Sequence, residues 1–305
     1  MNKKVGTRAY ICAFCIAAAS NFGFSVAYAY SSYYVAFQTA TGFTNTQLGL
    51  LLTVLGIAST VLYLPGGFIA DRFSPIKLTI IGLIGAGAIG FFVAMFPSYP
   101  VMMLLYVLFA VFAVLIAWNP QMKVLRMIST DDQQAKIQTM RAYGRTLPIL
   151  VISLAGSSLL ALLEEETALR VTLYLYGGLA IVCAIIAGIT YKPVESQAKS
   201  VDESRITLRD YAHVLKRPEV WIIGLIGFSA YTANTGVTYL QPYLADIYDL
   251  SAATSSAFAV IAKNCALLSA PIITWIAAKG KVPVTKVLGF SLIVAAVCFA
   301  LYIIM

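Results

Sequence analysis

The stretch Gly66-Gly-Phe-Ile-Ala-Asp-Arg-Phe-Ser-Pro-Ile-Lys77 places two glycines, an acid-base pair, a proline and a lysine between two long apolar runs, near residues 46–70 and 76–95. About 20 apolar residues carry a helix across about 30 Å of hydrocarbon. The charged turn therefore joins two membrane spans, and its prolines and charges mark where the chain leaves the bilayer.

The same alternation of apolar run and charged turn continues along the chain. Nine candidate spans lie near residues 8–30, 46–70, 76–95, 101–121, 145–163, 169–190, 219–242, 252–277 and 283–305. The 305 residues are 60% hydrophobic and 11% charged, with a mean hydropathy of +0.84, whereas soluble domains carry about 25% charged residues. An all-α membrane protein is expected. Strand-period alternation is absent, which disfavours a barrel. The long polar stretch, residues 191–219, leaves no room for a separate soluble catalytic domain.

The formal net charge of +8 does not indicate nucleic acid, because 19 of the 21 basic residues fall on alternate connections counted from the N-terminus. Arg170 is on the opposite side and Lys263 lies inside a span. This is the positive-inside pattern and predicts a cytoplasmic N-terminus in a multi-pass inner-membrane protein. Cys12, Cys15, Cys183, Cys265 and Cys298 all fall within spans, at spacings that suggest neither disulfides nor a metal site.

A weak internal repeat appears at an offset of 206 to 207 residues: Pro65 corresponds to Pro271 and Arg72 to Lys279. Such symmetry is common in transporters. It divides the chain into a six-helix bundle over residues 1–190, a cytoplasmic loop over 191–218 and a partial bundle of three helices over 219–305.

The Gly66 to Lys77 string resembles the signature of the major facilitator superfamily, in which a Gly, an Asp-Arg pair and a basic residue occupy the turn between helices two and three. It departs from that signature at Ser74-Pro75. Trp118-Asn119-Pro120 and Arg141-Ala-Tyr-Gly-Arg145 are similar to the equivalent region of the superfamily's organic-anion, phosphate-ester and nitrate carriers. The resemblance implies twelve helices, so the last three are expected to be missing here. It also implies a secondary transporter that moves a small polar, anionic organic solute by alternating access. The other reading is a truncated, non-transporting membrane protein or ligand sensor derived from such a transporter. No enzymatic activity, cofactor or metal is expected. The partners expected are the solute and membrane lipids, with the chain a monomer that binds no nucleic acid.

The resemblance assigns Gly66, Gly67, Asp71, Arg72, Lys77 and Arg126 to a cytoplasmic gate, with Arg126 as the partner of Asp71. The alternative is that Asp71 and Arg72 only cap a helix. Among residues that meet substrate, Lys263 stands out, since an ionisable group at mid-bilayer costs about 2.5 to 3.5 kcal/mol. It either addresses an anion or pairs with a carbonyl or polar neighbour to assemble the bundle. Asn21, Ser25, Tyr28 and Ser32 form a polar stripe on the first span. Tyr231, Asn234, Thr238 and Gln241 form one on the seventh. Both stripes fit the lining of a cavity or hydrogen bonding between packed helices. Arg141 and Arg145 share a helical face, either to clamp an anion or to snorkel to headgroups at the cytoplasmic boundary. Tyr30, Tyr33 and Tyr34 are expected in an interfacial aromatic belt.

Overall fold

A computed structural model describes residues 6–130, 133–194, 216–236 and 239–264, with seven isolated positions between 286 and 297. Its α-helices are α1 (Thr7–Ala27), α2 (Tyr34–Thr41), α3 (Asn45–Arg72), α4 (Pro75–Val93), α5 (Tyr99–Ala110), α6 (Asn119–Met127), α7 (Gln134–Leu162), α8 (Glu165–Thr190), α9 (Pro218–Gly236), α10 (Leu240–Tyr248) and α11 (Ala252–Asn264). A 3-10 turn, Ala29–Ser31, lies between α1 and α2, and a π-helix, Val111–Trp118, runs α5 into α6. Among the described residues there is no strand.

Six runs are long and apolar enough to cross a membrane: Thr7–Ala27, Asn45–Arg72, Pro75–Val93, Tyr99–Met127, Lys136–Leu162 and Glu165–Thr190. They coincide with the first six expected spans. The apolar part of α9, Pro218–Ser229, is shorter. The eighth span is described as far as Asn264, and the ninth lies outside the described residues apart from the isolated positions.

Helix boundaries follow local chemistry. The Thr44 side chain accepts from the Gln47 amide while the Gln47 side chain reaches back to the Thr44 amide, a capping box that satisfies two orphan donors at the start of α3. Gly42 ends α2 in the left-handed region, at φ 68°, which glycine adopts without steric cost. Pro75 opens α4, where its missing N–H would have had no partner.

Packing makes α1 the centre and α3 the edge: 61% of the α1 span is buried, against 17% of the α3 span. Ile57, Val61 and Leu64 of α3 are exposed, as befits a lipid-facing surface. α1 packs on α4, α7 and α8, α4 also packs on α8, and α11 rests on α7. Glycines permit the closest approaches. A Cβ on Gly177 of α8 would lie 2.7 Å from the Gly87 carbonyl of α4, and one on Gly144 of α7 would overlap the α1 backbone at Phe14.

Two expectations are corrected here. The first span is not one helix to residue 30. α1 ends at Ala27 and the chain bends through residues 28–33 before α2 resumes. In the bend the Ser31 hydroxyl donates to the Tyr28 carbonyl at 2.7 Å, the local competition that weakens a helical ladder. Nor do Tyr30, Tyr33 and Tyr34 form a surface belt, since they are 5%, 1% and 5% exposed. The Tyr33 hydroxyl donates to the Ser153 carbonyl at 2.9 Å and lies 2.9 Å from the Tyr176 hydroxyl. Buried partners are available because α7 and α8 flank the bend, which sequence periodicity alone does not reveal.

Candidate functional site

Lys263 is carried by α11 into the bend between α1 and α2. Its ammonium donates to the Ser31 carbonyl at 2.8 Å, to Ser31 Oγ at 2.5 Å and to Ser32 Oγ at 2.9 Å. All three ammonium protons have acceptors, and every acceptor is formally neutral. Among the described residues the ion pairs are Asp71–Lys123 and Glu166–Arg170, so Lys263 has no carboxylate partner there. The bend supplies these acceptors because it frees the Ser31 carbonyl from regular helical bonding.

The two polar stripes are distributed differently from their spacing. On α1, Asn21 Nδ2 donates to the Arg145 carbonyl at 2.5 Å and Ser25 Oγ to the Asn21 carbonyl at 2.9 Å, so these two serve packing. Tyr28, just beyond α1, is half-buried with its ring 6.5 Å from that of Phe24, and Tyr231 of α9 is exposed. The second stripe does not lie on one helix, because α9 ends at Gly236 and α10 begins at Leu240. Thr238 and the side chain of Asn234 lie outside the described residues. Gln241 is fully buried: its side-chain carbonyl accepts from the Tyr34 amide, and its Nε2 donates to Ser255 Oγ at 3.2 Å. Gln241 thus joins α10 to α2.

Arg141 and Arg145 lie within the body of α7 rather than at its start. The Arg145 carbonyl is level with Asn21, which is two-thirds of the way along α1. α7 begins at Gln134, well before the span expected from residue 145, so both arginines sit inside a helix already under way. Arg141 is half-buried and donates to Gln138 Oε1 at 3.4 Å, while Arg145 is exposed.

In the gate motif the partner of Asp71 is corrected. Lys123 Nζ, not Arg126, is 3.1 Å from Asp71 Oδ1, and it also donates to the Ala70 carbonyl at 3.4 Å. Lys123 therefore serves both the carboxylate and the negative end of α3, whereas Arg126, one turn on along α6, is exposed. Arg72 and Lys77 are exposed too, and Gly67 is half-buried. A Cβ on Gly66 would lie 2.9 Å from Asn119 Nδ2 and 3.0 Å from the Leu115 carbonyl. Asn119 Nδ2 in turn donates to the Tyr63 carbonyl at 3.0 Å. Lys123 and Arg126 lie three residues apart on α6, and sequence alone does not distinguish them as partners of Asp71.

A groove of about 560 Å³ lies between α7 and α11, lined mainly by apolar groups such as Leu154, Ala257 and Phe258. With Phe258 55% exposed, it is a furrow on the side of the bundle rather than the site at Lys263. Among the described residues no cluster of His, Cys, Asp and Glu is arranged to hold a metal.

Comparison with known proteins fits this geometry. The Major Facilitator Superfamily family model matches residues 10–305. Inner membrane protein YqcE of Escherichia coli (strain K12) is 25% identical over 277 residues, covering 87% of this chain and 65% of that protein. Inner membrane protein YihN of the same organism is 23% identical over 278 residues, covering 89% and 66%. The chain thus spans just under two thirds of the length of these curated relatives. The crystal structure of a bacterial homologue of the human lysosomal transporter Spinster, inward-facing and unoccupied, superposes with a TM-score of 0.66 at 15% identity, covering 92% of this chain and 64% of that one. Its inward-facing, occupied counterpart gives 0.64. At that identity the likeness is one of fold. With six apolar spans, the motif between the second and third of them, and a family match over nearly its whole length, this chain is a multi-pass membrane protein that belongs to the Major Facilitator Superfamily.

Proposed function

We propose that the chain forms the solute-handling part of a secondary transporter that moves a small organic anion across the inner membrane by alternating access. The observation that carries this reading is Lys263, a cation whose partners among the described residues are the neutral oxygens of Ser31 and Ser32. A buried charge without a counter-charge is costly, and a negatively charged solute that entered at Ser32 would supply one. Alternating access is supported by where the halves touch. α2 meets α10 and α11 at the end of the bundle opposite Arg72 and Lys77, and α11 meets α7.

The test is uptake or exchange in vesicles against a panel of organic anions, comparing wild type with Lys263→Ala. Anion uptake lost in the variant supports the reading. Uptake of a neutral solute alone, unaffected by the substitution, overturns it.

A further inference from the structure

The cysteines among the described residues, Cys12, Cys15 and Cys183, are all free thiols, and the fold gathers them on one seam between α1 and α8. Their spacing in sequence suggests no pairing. Cys183 lies far along the chain from the other two, and only the packing of α8 against α1 brings it back to them.

Two contacts fix the register of that seam. Cys12 Sγ donates to the Ala187 carbonyl at 3.4 Å, and the ring of Phe22 lies 6.2 Å from that of Tyr176. Going forward along α1 from Cys12 to Phe22 therefore means going back along α8 from Ala187 to Tyr176, so the two helices run antiparallel. Seven residues make about two helical turns and return to the same face. Seven back from Phe22 is Cys15, and seven on from Tyr176 is Cys183. From the other end, Cys15 is one turn on from Cys12 and Cys183 is one turn back from Ala187. Both routes set Cys15 opposite Cys183, and the two side chains interact with each other.

Small side chains keep the seam close. Ala184 and Ala187 of α8 pack in one buried cluster with Cys12, Cys15 and Ala19 of α1, and residues of this size let helix backbones approach. A disulfide needs Cα atoms about 4.4 to 6.8 Å apart. Packed helices with axes about 8 to 10 Å apart and Cα atoms at a radius of about 2.3 Å bring facing Cα atoms into that range.

Exposure differs across the pair. Cys15 is 7% exposed, whereas Cys183 is half-buried. Beside Cys183 on α8, Val182 and Ile186 are 50% and 37% exposed, an apolar surface that meets lipid. A small uncharged oxidant dissolved in the membrane thus reaches Cys183 first, with Cys15 behind it. A thiol that is oxidised beside a second, resolving thiol ends as a disulfide rather than as a higher oxide.

We infer that Cys15 and Cys183 form a reversible redox staple between α1 and α8, closed by a membrane-permeant peroxide. The Cys183 sulfur attacks one peroxide oxygen, the O–O bond breaks and water leaves, giving a sulfenic acid. The Cys15 sulfur then attacks the Cys183 sulfur, the hydroxyl leaves as a second water, and the S–S bond forms. The two thiol protons depart in the two waters, and the two electrons lost by the sulfurs reduce the peroxide. A thiol reductant reopens the bond. Both helices belong to the first bundle, so the staple stiffens that bundle without joining it to the second half. It does not depend on the transport reading above.

The test treats the detergent-purified chain with hydrogen peroxide, alkylates the remaining thiols with N-ethylmaleimide and maps bridges by mass spectrometry of unreduced peptides. Wild type yields peptides joined through Cys15 and Cys183, and dithiothreitol separates them. Oxidation raises its melting temperature by about 5 °C or more, because the bridge closes a long loop of the unfolded chain. Cys12→Ala keeps both effects, whereas Cys15→Ala and Cys183→Ala each lose both. The wild-type peptide map stands even where a variant is recovered poorly. A bridge through Cys12, Cys265 or Cys298, sulfinic or sulfonic acid at Cys183 without a bridge, or no reaction of either thiol overturns the pairing. A Cys15 to Cys183 bridge that leaves the melting temperature unchanged overturns the stiffening.

Discussion

Tyr34 and Gln241 stand 207 residues apart and are joined directly, the Tyr34 amide donating to the Gln241 side-chain carbonyl. That separation matches the offset of 206 to 207 residues expected from the sequence repeat. Tyr34 is also the first residue of α2, whose amide has no partner within its own helix. One half of the chain caps a helix of the other.

Replacing Gln241 with Ala therefore leaves a buried donor unsatisfied and removes the bond to Ser255. A loss of about 1 to 3 kcal/mol is expected, read as a lower melting temperature of the detergent-purified protein. An unchanged melting temperature would show that the cap contributes nothing.

The Asp71–Lys123 pair predicts a specific pattern of rescue. Asp71→Asn and Lys123→Gln each lower uptake, and exchanging the two residues, Asp71→Lys with Lys123→Asp, restores part of it. The same exchange between Asp71 and Arg126 restores none. Rescue through Arg126 and not Lys123 would return the partnership to the residue expected from sequence.

Tyr176 anchors a buried network in which its hydroxyl lies 2.6 Å from Ser153 Oγ and 2.9 Å from the Tyr33 hydroxyl. Tyr176→Phe keeps the ring and removes the shared hydroxyl, so about 1 to 3 kcal/mol of stability is lost. Thermal unfolding of the variant beside Ser153→Ala measures it. Because the two residues share one network, their double variant loses less than the sum of the single losses.

The α4 and α8 backbones meet at Gly87 and Gly177, where a Cβ on Gly177 would lie 2.7 Å from the Gly87 carbonyl. Gly177→Val forces the helices apart and lowers the yield of monodisperse protein in size-exclusion chromatography. Gly224→Val on α9, where no atom lies within 4 Å of the added Cβ, leaves the yield unchanged. Equal yields for the two variants would mean that the close approach is not needed.

The membrane class, the first six spans and the family motif from Gly66 to Lys77 were legible because they depend on composition, run length and local charge. Hydrophobic transfer acts on each span almost independently of its neighbours. Lys263 stood out for the same reason, as a charge where lipid tolerates none. The partners of these groups were not legible. Lys123 and Arg126 are both basic and both on α6, and only the approach of α3 distinguishes the one at 3.1 Å from Asp71. Gln241 has the spacing of a cavity-lining residue yet is fully buried, because α10, which begins at Leu240, places it against Tyr34. Tyr33 has the composition of an interfacial anchor, but the bend after Ala27 carries it to Ser153 and Tyr176. Periodicity predicts which residues share a helical face only while the helix continues. Which face meets which neighbour is settled by contacts between segments far apart in the chain, and those exist only once the helices have packed.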